Sequence, residues 1–220
     1  MGTKQKAFTI AMWTLVVAGL FVLIGLTRGR DREHARTDNS TPSTQPMSIE
    51  LVAGDTRQPV DMSFSTPTFK LLDQSGTEFN SDHLKGKVWT AMLFFSQCQG
   101  VCPSMRGRIT ALQKAVTDSR VHFVSFSVDP KNDTPERMAV YAKAADADGS
   151  RWHMLTGPEA MMHEIAAGLM MPYDVPSNHS SRILLVDQQG VVRRVYLSGS
   201  DEHMKQLASD AVKLAETGKL

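Results

Sequence analysis

Apolar residues recur along the chain with two periods, one typical of buried strands and one of amphipathic helices. A near-continuous apolar run at 88–95 predicts a strand covered on both faces of a sheet. A helix is predicted over 103–118 by apolar residues at spacings of four, three and four: Met105, Ile109, Leu112 and Val116. A second apolar run, at 121–128, predicts the next strand.

The same pattern continues to the end of the chain. A short hairpin is expected over 69–79, with Gly76 in its turn, and Thr134 and Pro135 have the chemistry of a helix start. The remaining predicted elements are a helix to about 146, a short strand at 152–155, a helix at 158–168 closed by Gly168, a hairpin of 182–186 and 191–197, and a helix at 201–216. This order predicts an α/β, thioredoxin-like sandwich with an N-terminal hairpin, occupying residues 66–220.

A different pattern precedes that domain. Residues 7–27 form a stretch of 21 without a charge, and a helix of that length rises about 30 Å, enough to cross a bilayer core. A cleavable signal peptide is the alternative, but its apolar region is normally only about 7–15 residues long and ends in a small-residue cleavage site. Since Thr27-Arg28-Gly29-Arg30 follows the stretch, we expect a single transmembrane anchor behind a short tail, 1–6.

Residues 28–65 are expected to be a polar linker. The segment starts with charged residues and continues with Ser, Thr, Asn, Gln and two prolines, a composition that cannot bury a core. Counting Lys and Arg alone favours an orientation with the C-terminal side of the anchor inside, because Lys4 and Lys6 on one side oppose four arginines on the other: Arg28, Arg30, Arg32 and Arg36.

Net charge and the counts of cysteine and methionine exclude some classes of function. The formal net charge is +1, so no strong field favours nucleic acid, and no nucleic-acid partner is expected. Two cysteines are too few for a disulfide scaffold. Several of the 13 methionines fall in core-like runs, which favours flexible core filling over a methionine copper site.

Both cysteines, Cys98 and Cys102, lie in one predicted strand-to-helix turn. Positions i and i+4 share a helix face, so the sulfurs can converge on one ion or close into a disulfide. A helix N-terminus stabilises thiolate, which is both metal ligand and nucleophile, and soft thiolates suit Cu(I). A purely stabilising disulfide is the third possibility, but a bond closing so short a loop constrains the unfolded chain little.

Three blocks of sequence resemble the SCO/SenC family of membrane-tethered copper proteins with a thioredoxin-like fold. The blocks are Phe94–Pro103, containing both cysteines; Ser127–Pro135, with Asp129 and Asp133; and Asp174–Ser181, which carries His179 just before a strand. They come in the family's order and spacing, and the likeness covers roughly 67–214. Where the family often has Pro and then an acidic residue after the first cysteine, this chain has Gln99 and Gly100, a more flexible and uncharged loop.

The resemblance implies a copper site formed by Cys98, Cys102 and His179. A lone histidine before a strand is otherwise more typical of a satisfied polar residue; His122 starts a strand, and His83, His153, His163 and His203 fall in segments typical of surface turns or helices. Asp129 and Asp133 are expected as loop and cap residues that can tune the site from behind the ligands.

The implied function is that of a metallochaperone rather than an enzyme. It would receive Cu(I) or Cu(II) from a copper donor protein and deliver it to the binuclear copper site of cytochrome c oxidase subunit II. By the same resemblance, which we place above the arginine count, the expected location is the bacterial cytoplasmic (inner) membrane, with one span and the domain facing the periplasm or outside.

A thiol–disulfide oxidoreductase is the alternative function. In that case Cys98 and Cys102 would be a redox-active catalytic pair that keeps cysteines of the oxidase subunit or of another exported protein reduced, with a thiol reductant as partner. Generic thioredoxins have a Cys-x-x-Cys motif and a cis-proline directly before the later strand. This chain has neither, which favours metal binding over general thiol–disulfide exchange. A peroxide-reducing enzyme is disfavoured because no arginine and proline-threonine setting accompanies either cysteine.

Overall fold

A computed structural model describes residues 58–100 and 102–220, and these residues form a mixed α/β sandwich. The strands are β1 (Val60–Ser65), β2 (Lys70–Leu72), β3 (Glu78–Asn80), β4 (Val88–Phe94), β5 (Val121–Ser127), β6 (Trp152–Leu155), β7 (Arg182–Val186) and β8 (Val191–Leu197). The helices are α1 (Cys102–Ala115), α2 (Pro135–Ala144), α3 (Glu159–Gly168) and α4 (Asp201–Thr217), with 3₁₀ turns at Ser81–Leu84 and Pro176–Asn178.

Six of the strands form one sheet in the order β1-β8-β7-β4-β5-β6. β4, β5 and β6 are parallel, with α1 and α2 as the connecting helices, whereas β7 runs antiparallel to β4 and β8 antiparallel to β7. Parallel neighbours require such crossovers, since a tight turn cannot join them. The thioredoxin-like order expected from the sequence is therefore confirmed in this part of the chain.

The core lies on both faces of the sheet. Every residue of β4 and β5 is buried, as the two apolar runs predicted. One hydrophobic cluster joins the sheet to α1, α2 and α4 through residues such as Ile109, Met138 and Leu207. A second joins the other face to α3 and to the β2–β3 hairpin through residues such as Ile165 and Phe79.

The sheet begins earlier than the sequence suggested. Residues 60–65, placed at the end of the linker, form β1, which pairs antiparallel with β8. Met62 and Phe64 pack on the core, and the Arg194 guanidinium joins Asp61 to Asp210 of α4. The strand signal was the alternation of Val60, Met62 and Phe64 with polar residues, which the polar composition around it obscured.

The predicted β2–β3 hairpin is confirmed, with Gly76 at φ +75° in its turn. Its Gln74 side chain donates to the Trp152 carbonyl at 2.8 Å and accepts from the Met154 N–H at 2.8 Å. The amide side chain therefore occupies backbone groups of β6, the last strand of the sheet, that would otherwise be open to another chain.

The helix boundaries lie within three residues of those that the pattern predicted. Thr134 caps α2 by accepting from the Arg137 N–H, with Pro135 next to it, as predicted. α3 ends at Gly168, as predicted, but the left-handed residue that follows its end is Met170, at φ 57°, and not the glycine. Gly168 is the last helical residue, and a Cβ on it would lie 3.0 Å from the Pro67 side chain, so close packing is the reason for glycine there.

None of the helices in 58–100 and 102–220 has the length and apolar character of a membrane span. The predicted tail, 1–6, the predicted anchor, 7–27, and most of the predicted linker lie outside the described residues.

Candidate metal centre

The two cysteines and His179 meet at one edge of the sheet because of strand direction. β4 ends at Phe94, and the loop after it leads to Cys98 and to Cys102, the first residue of α1. β7 runs antiparallel to β4, so its first residue lies beside the end of β4. His179, three residues before β7, is thereby brought to the cysteine loop from 77 residues further along the chain.

The ligand-type atoms of Cys98, Cys102 and His179 all lie within 4.8 Å of one another. The Cys102 Sγ and His179 Nε2 are 3.2 Å apart. Throughout the part of the chain that the structure describes, this is the single group of three or more His, Cys, Asp or Glu side chains close enough to share an ion. The structure therefore brings together the three residues that the sequence resemblance indicated.

Cys98 is the more exposed of the two cysteines. It is half-buried, and its Sγ lies 3.4 Å from the Gly100 backbone nitrogen and 3.5 Å from that of Cys102. Backbone N–H groups directed at a sulfur favour negative charge on it, and the start of α1 adds the positive end of the helix dipole. Cys98 thus has both the exposure and the surroundings of a reactive thiolate.

Cys102 has the opposite character. Its residue is 2% exposed, and burial together with a hydrogen bond to the Cys98 side chain raises the pKa of its thiol to about 12. A hydrogen bond with the Phe95 backbone lowers the pKa, but by less. Without a metal the Cys102 sulfur therefore keeps its proton at neutral pH.

The hydrogen bonds of His179 determine which ring nitrogen can bind a metal. Its Nδ1 lies 2.9 Å from the Ser180 carbonyl oxygen, which can only accept, so Nδ1 carries the proton. Nε2 then has a free lone pair and faces Cys102. Burial lowers the pKa of the ring, which keeps it neutral, and the Phe95 ring meets it edge-on at 5.7 Å.

Asp133 supports the cysteine loop from behind. Its carboxylate is completely buried, accepts from the Ser96 N–H at 3.1 and 3.2 Å and accepts from the Ser127 hydroxyl at 2.6 Å. Burial raises the pKa of this carboxyl above its usual value. The cap of α2 is Thr134, so Asp133 is not the cap residue that the sequence suggested; an aspartate before Thr-Pro is typical of an exposed helix start and gives no sign of burial.

The sequence also misplaced two histidines. His203 was assigned to a surface segment, but it is 2% exposed and its Nδ1 accepts from the Leu197 N–H at 2.9 Å. His153 lies on β6, with its Nε2 3.4 Å from Nδ1 of His122 on β5. These histidines are explained by packing, since none of them joins the cysteine group.

Two thiolates and one neutral imidazole form a soft donor set, well matched to copper and poorly matched to hard cations such as Mg²⁺ or Ca²⁺. The buried side of the group, with Cys102 at its base, would hold such an ion away from water, while Cys98 leaves one side accessible. The fold and this site together define a thioredoxin-like domain carrying a Cys–Cys–His group that could hold a metal ion.

The chain belongs to the SCO1/SenC family, whose model matches residues 58–216. A relative in Bacillus subtilis (strain 168), described as a SCO1 protein homolog, is 30% identical over 167 residues, covering 72% of this chain and 86% of the relative. The resemblance found in the three sequence blocks is therefore confirmed.

Solved structures agree with this assignment. A SCO1/SenC family lipoprotein from Bacillus anthracis str. Ames is 34% identical, with a TM-score of 0.65, covering 72% of this chain and 98% of that one. BsSco, described as having a disulfide switch and as a member of the Sco family of cytochrome c oxidase assembly proteins, is 27% identical with a TM-score of 0.65, over 73% and 99% of the two chains. ScoI of Bradyrhizobium japonicum, solved with copper bound, has the same fold at 24% identity and a TM-score of 0.59, over 68% and 99%.

Proposed function

We propose that this protein is a membrane-tethered copper chaperone that delivers copper to the binuclear copper site of cytochrome c oxidase subunit II. The observation that carries the proposal is the convergence of Cys98, Cys102 and His179 within 4.8 Å. Membership of a family that includes cytochrome c oxidase assembly proteins supports the choice of partner.

The unequal exposure of the two sulfurs suits a protein that must both hold and release its cargo. Cys102 is the buried ligand of the centre, and metal binding requires its thiol to lose its proton, so copper uptake releases a proton. Cys98 is the ligand that an incoming donor or acceptor sulfur can reach, which makes it the point where ligand exchange starts and ends.

The location is also part of the proposal. The uncharged stretch at 7–27 would anchor the chain in the bacterial cytoplasmic membrane, with residues 28–57 as a tether and, by the family resemblance, the folded domain on the outer, periplasmic side. A copper donor protein on that side would supply the ion.

Copper titration of the reduced full-length protein tests the site. We expect one equivalent of Cu(I) to bind, with the affinity weakened at least tenfold by Cys98→Ser, Cys102→Ser or His179→Ala. His163→Ala is the matched control, since His163 lies on α3 with its ring stacked on Tyr173 and should leave the affinity unchanged. Wild-type affinity in His179→Ala would contradict the three-ligand site.

Thiol–disulfide exchange is a second candidate function, favoured by the closeness of the two sulfurs and by the disulfide switch described for BsSco. The reduced pair would give two electrons and two protons to a disulfide of the partner and become a disulfide itself. His179→Ala separates the two functions in cells, because exchange needs both cysteines but not the imidazole. A His179→Ala protein that cannot hold copper but still restores oxidase assembly would decide for exchange.

A further inference from the structure

Gly100 stands between the two cysteines, in the loop that carries the Cys98 sulfur. The residue is exposed, and its backbone nitrogen lies 3.4 Å from the Cys98 Sγ. A Cβ at position 100 would lie 3.8 Å from the same sulfur, and apart from the glycine's chain neighbours no other atom of the described residues lies within 4 Å of that Cβ. A side chain at position 100 would therefore begin in contact with the Cys98 sulfur.

Neither the backbone nor packing requires glycine at position 100. Glycine is favoured where φ is left-handed, as at Gly76, and the φ of Gly100 lies outside that region. Close packing explains Gly168, where a Cβ would lie 3.0 Å from Pro67, whereas 3.8 Å is an ordinary van der Waals distance. What distinguishes glycine at position 100 is that it leaves this side of the Cys98 sulfur uncovered.

The loop around this sulfur also carries no acidic side chain. Residues 96–100 are Ser, Gln, Cys, Gln and Gly, with the thiol as their one ionisable side chain. The neighbouring carboxylate of Asp133 is completely buried, where it accepts from the Ser96 N–H. Along α1 the first charged side chain after Cys102 is cationic, that of Arg106. An anionic partner that approaches Cys98 therefore meets no carboxylate on the loop itself.

We propose that Gly100 is a specificity-determining residue for exchange at Cys98, because it admits a partner cysteine that is flanked by bulky and acidic side chains. The inference rests on the proposed function, in which exchange starts and ends at Cys98. In thiol exchange the Cys98 thiolate forms a bond to one sulfur of a disulfide, that S–S bond breaks, and the other sulfur leaves as a thiolate. Both the incoming sulfur and its neighbouring groups must pass position 100.

A side chain at position 100 would act in two separable ways. Its bulk would cover the sulfur against every partner, and a carboxylate would in addition repel anionic partners and attract cationic ones. Asparagine has nearly the shape of aspartate without its charge, so Gly100→Asn measures the first effect and Gly100→Asp measures both. Gly107→Asp is the matched control, because Gly107 is an exposed glycine of α1 whose Cβ would meet no other described part of the chain within 4 Å.

Each variant is prepared in full-length protein that carries Cys102→Ser, so that Cys98 is the one thiol left to react. The reduced, metal-free protein in detergent is mixed at low ionic strength with anionic dithiobis(nitrobenzoate) or with cationic cystamine. Mass spectrometry of quenched samples gives the rate at which each mixed disulfide forms. The ratio of the anionic to the cationic rate is compared between variants, because the fraction of Cys98 present as thiolate affects both rates equally and cancels.

We expect Gly100→Asn to slow both reactions at least about threefold and to leave the ratio unchanged, since access limits exchange. Gly100→Asp should lower the ratio about tenfold, because a carboxylate a few ångströms from the reacting sulfur acts with opposite sign on the two probes. At about 1 M salt, where the Debye length is about 3 Å, the change in ratio should shrink while the slowing persists. Gly107→Asp should match the Cys102→Ser parent in rates and ratio.

The inference would be overturned by parental rates in Gly100→Asn, by an unchanged ratio in Gly100→Asp, or by an equal change of ratio in Gly107→Asp. Thermal unfolding followed by circular dichroism confirms that each variant is folded. If Cu(I) binding by the wild type still depends on Cys98 and His179, the proposed function stands and only the role of Gly100 fails. A folded parent in which Cys98 reacts with neither probe would contradict both the inference and the exchange role of Cys98.

Discussion

At the scale of single residues, the two cysteines differ although only three residues separate them. Cys98 is half-buried and has two backbone nitrogens within 3.5 Å of its sulfur, whereas Cys102 is 2% exposed with a thiol pKa raised to about 12. The Cys98 sulfur is thus the one that a partner can reach for exchange, and the Cys102 sulfur is the one suited to retaining an ion.

This difference predicts selective alkylation. In the reduced, metal-free protein at pH 8, iodoacetamide should modify Cys98 at least about tenfold faster than Cys102, because a thiol with a pKa of about 12 is thiolate in only about one molecule in ten thousand at that pH. Peptide mass spectrometry over a time course measures both rates. In Cys98→Ser, Cys102 should stay slow; equal rates for the two cysteines in wild type would contradict the prediction.

At the scale of elements, the β5–β6 pair carries the two histidines that pack together. The rings of His122 and His153 are nearly parallel, with an interplanar angle of 9°, on adjacent parallel strands. Burial, followed by the charge of Lys87, lowers the pKa of each ring from 6.5 to about 4. Both rings are therefore neutral in the folded protein at pH values where the unfolded chain already binds protons.

The stability of the fold should consequently decrease in acid. Between pH 6.5 and 4 the unfolded state binds more protons at these two positions, so the free energy of unfolding is largest above pH 6.5 and falls as the pH drops toward 4. His122 is 4% exposed, and its share of the loss is on the order of 3 kcal/mol. Urea unfolding at several pH values measures the free energy of unfolding, and His122→Gln should make it fall less steeply as the pH drops. A pH dependence equal to that of wild type would show that His122 is not responsible.

At the scale of the whole molecule, β1 extends the sheet beyond the boundary at residue 66 that composition suggested. It covers the outer side of β8, adds Met62 and Phe64 to the core, and is joined to α4 through Arg194. The folded unit therefore needs the segment that connects it to the predicted membrane anchor.

Truncation tests the contribution of β1. A fragment of residues 66–220 should be less stable than a fragment of 58–220 by at least about 2 kcal/mol, from the apolar area of Met62 and Phe64 that is lost from the core. It should also self-associate, because β8 becomes an open edge. Urea unfolding measures the stability of the two fragments, and size-exclusion chromatography measures their self-association. Equal urea midpoints would mean that β1 contributes nothing to stability.

Much of the fold could be predicted from the sequence because its signals are local. The strands at 152–155, 182–186 and 191–197 occur where the apolar pattern indicated them, and Thr134 and Pro135 begin α2 as expected. The spacing of apolar residues in strands and helices depends on near neighbours in the chain, and so do the residues that begin a helix. Such local patterns can be recognised directly in a sequence. The closeness of Cys98 and Cys102 is local in the same sense.

The remaining features were decided by contacts between distant parts of the chain. The antiparallel direction of β7 puts His179 beside Cys102, and the Ser180 carbonyl selects the ring nitrogen that faces the sulfur. The burial of Asp133 under Ser96 and of Tyr141 between Phe94 and Arg106 likewise appears only in the folded chain. Sequence thus determined which groups are available and tertiary structure determined their charge and partners, because solvation and hydrogen bonding depend on what lies nearby in space.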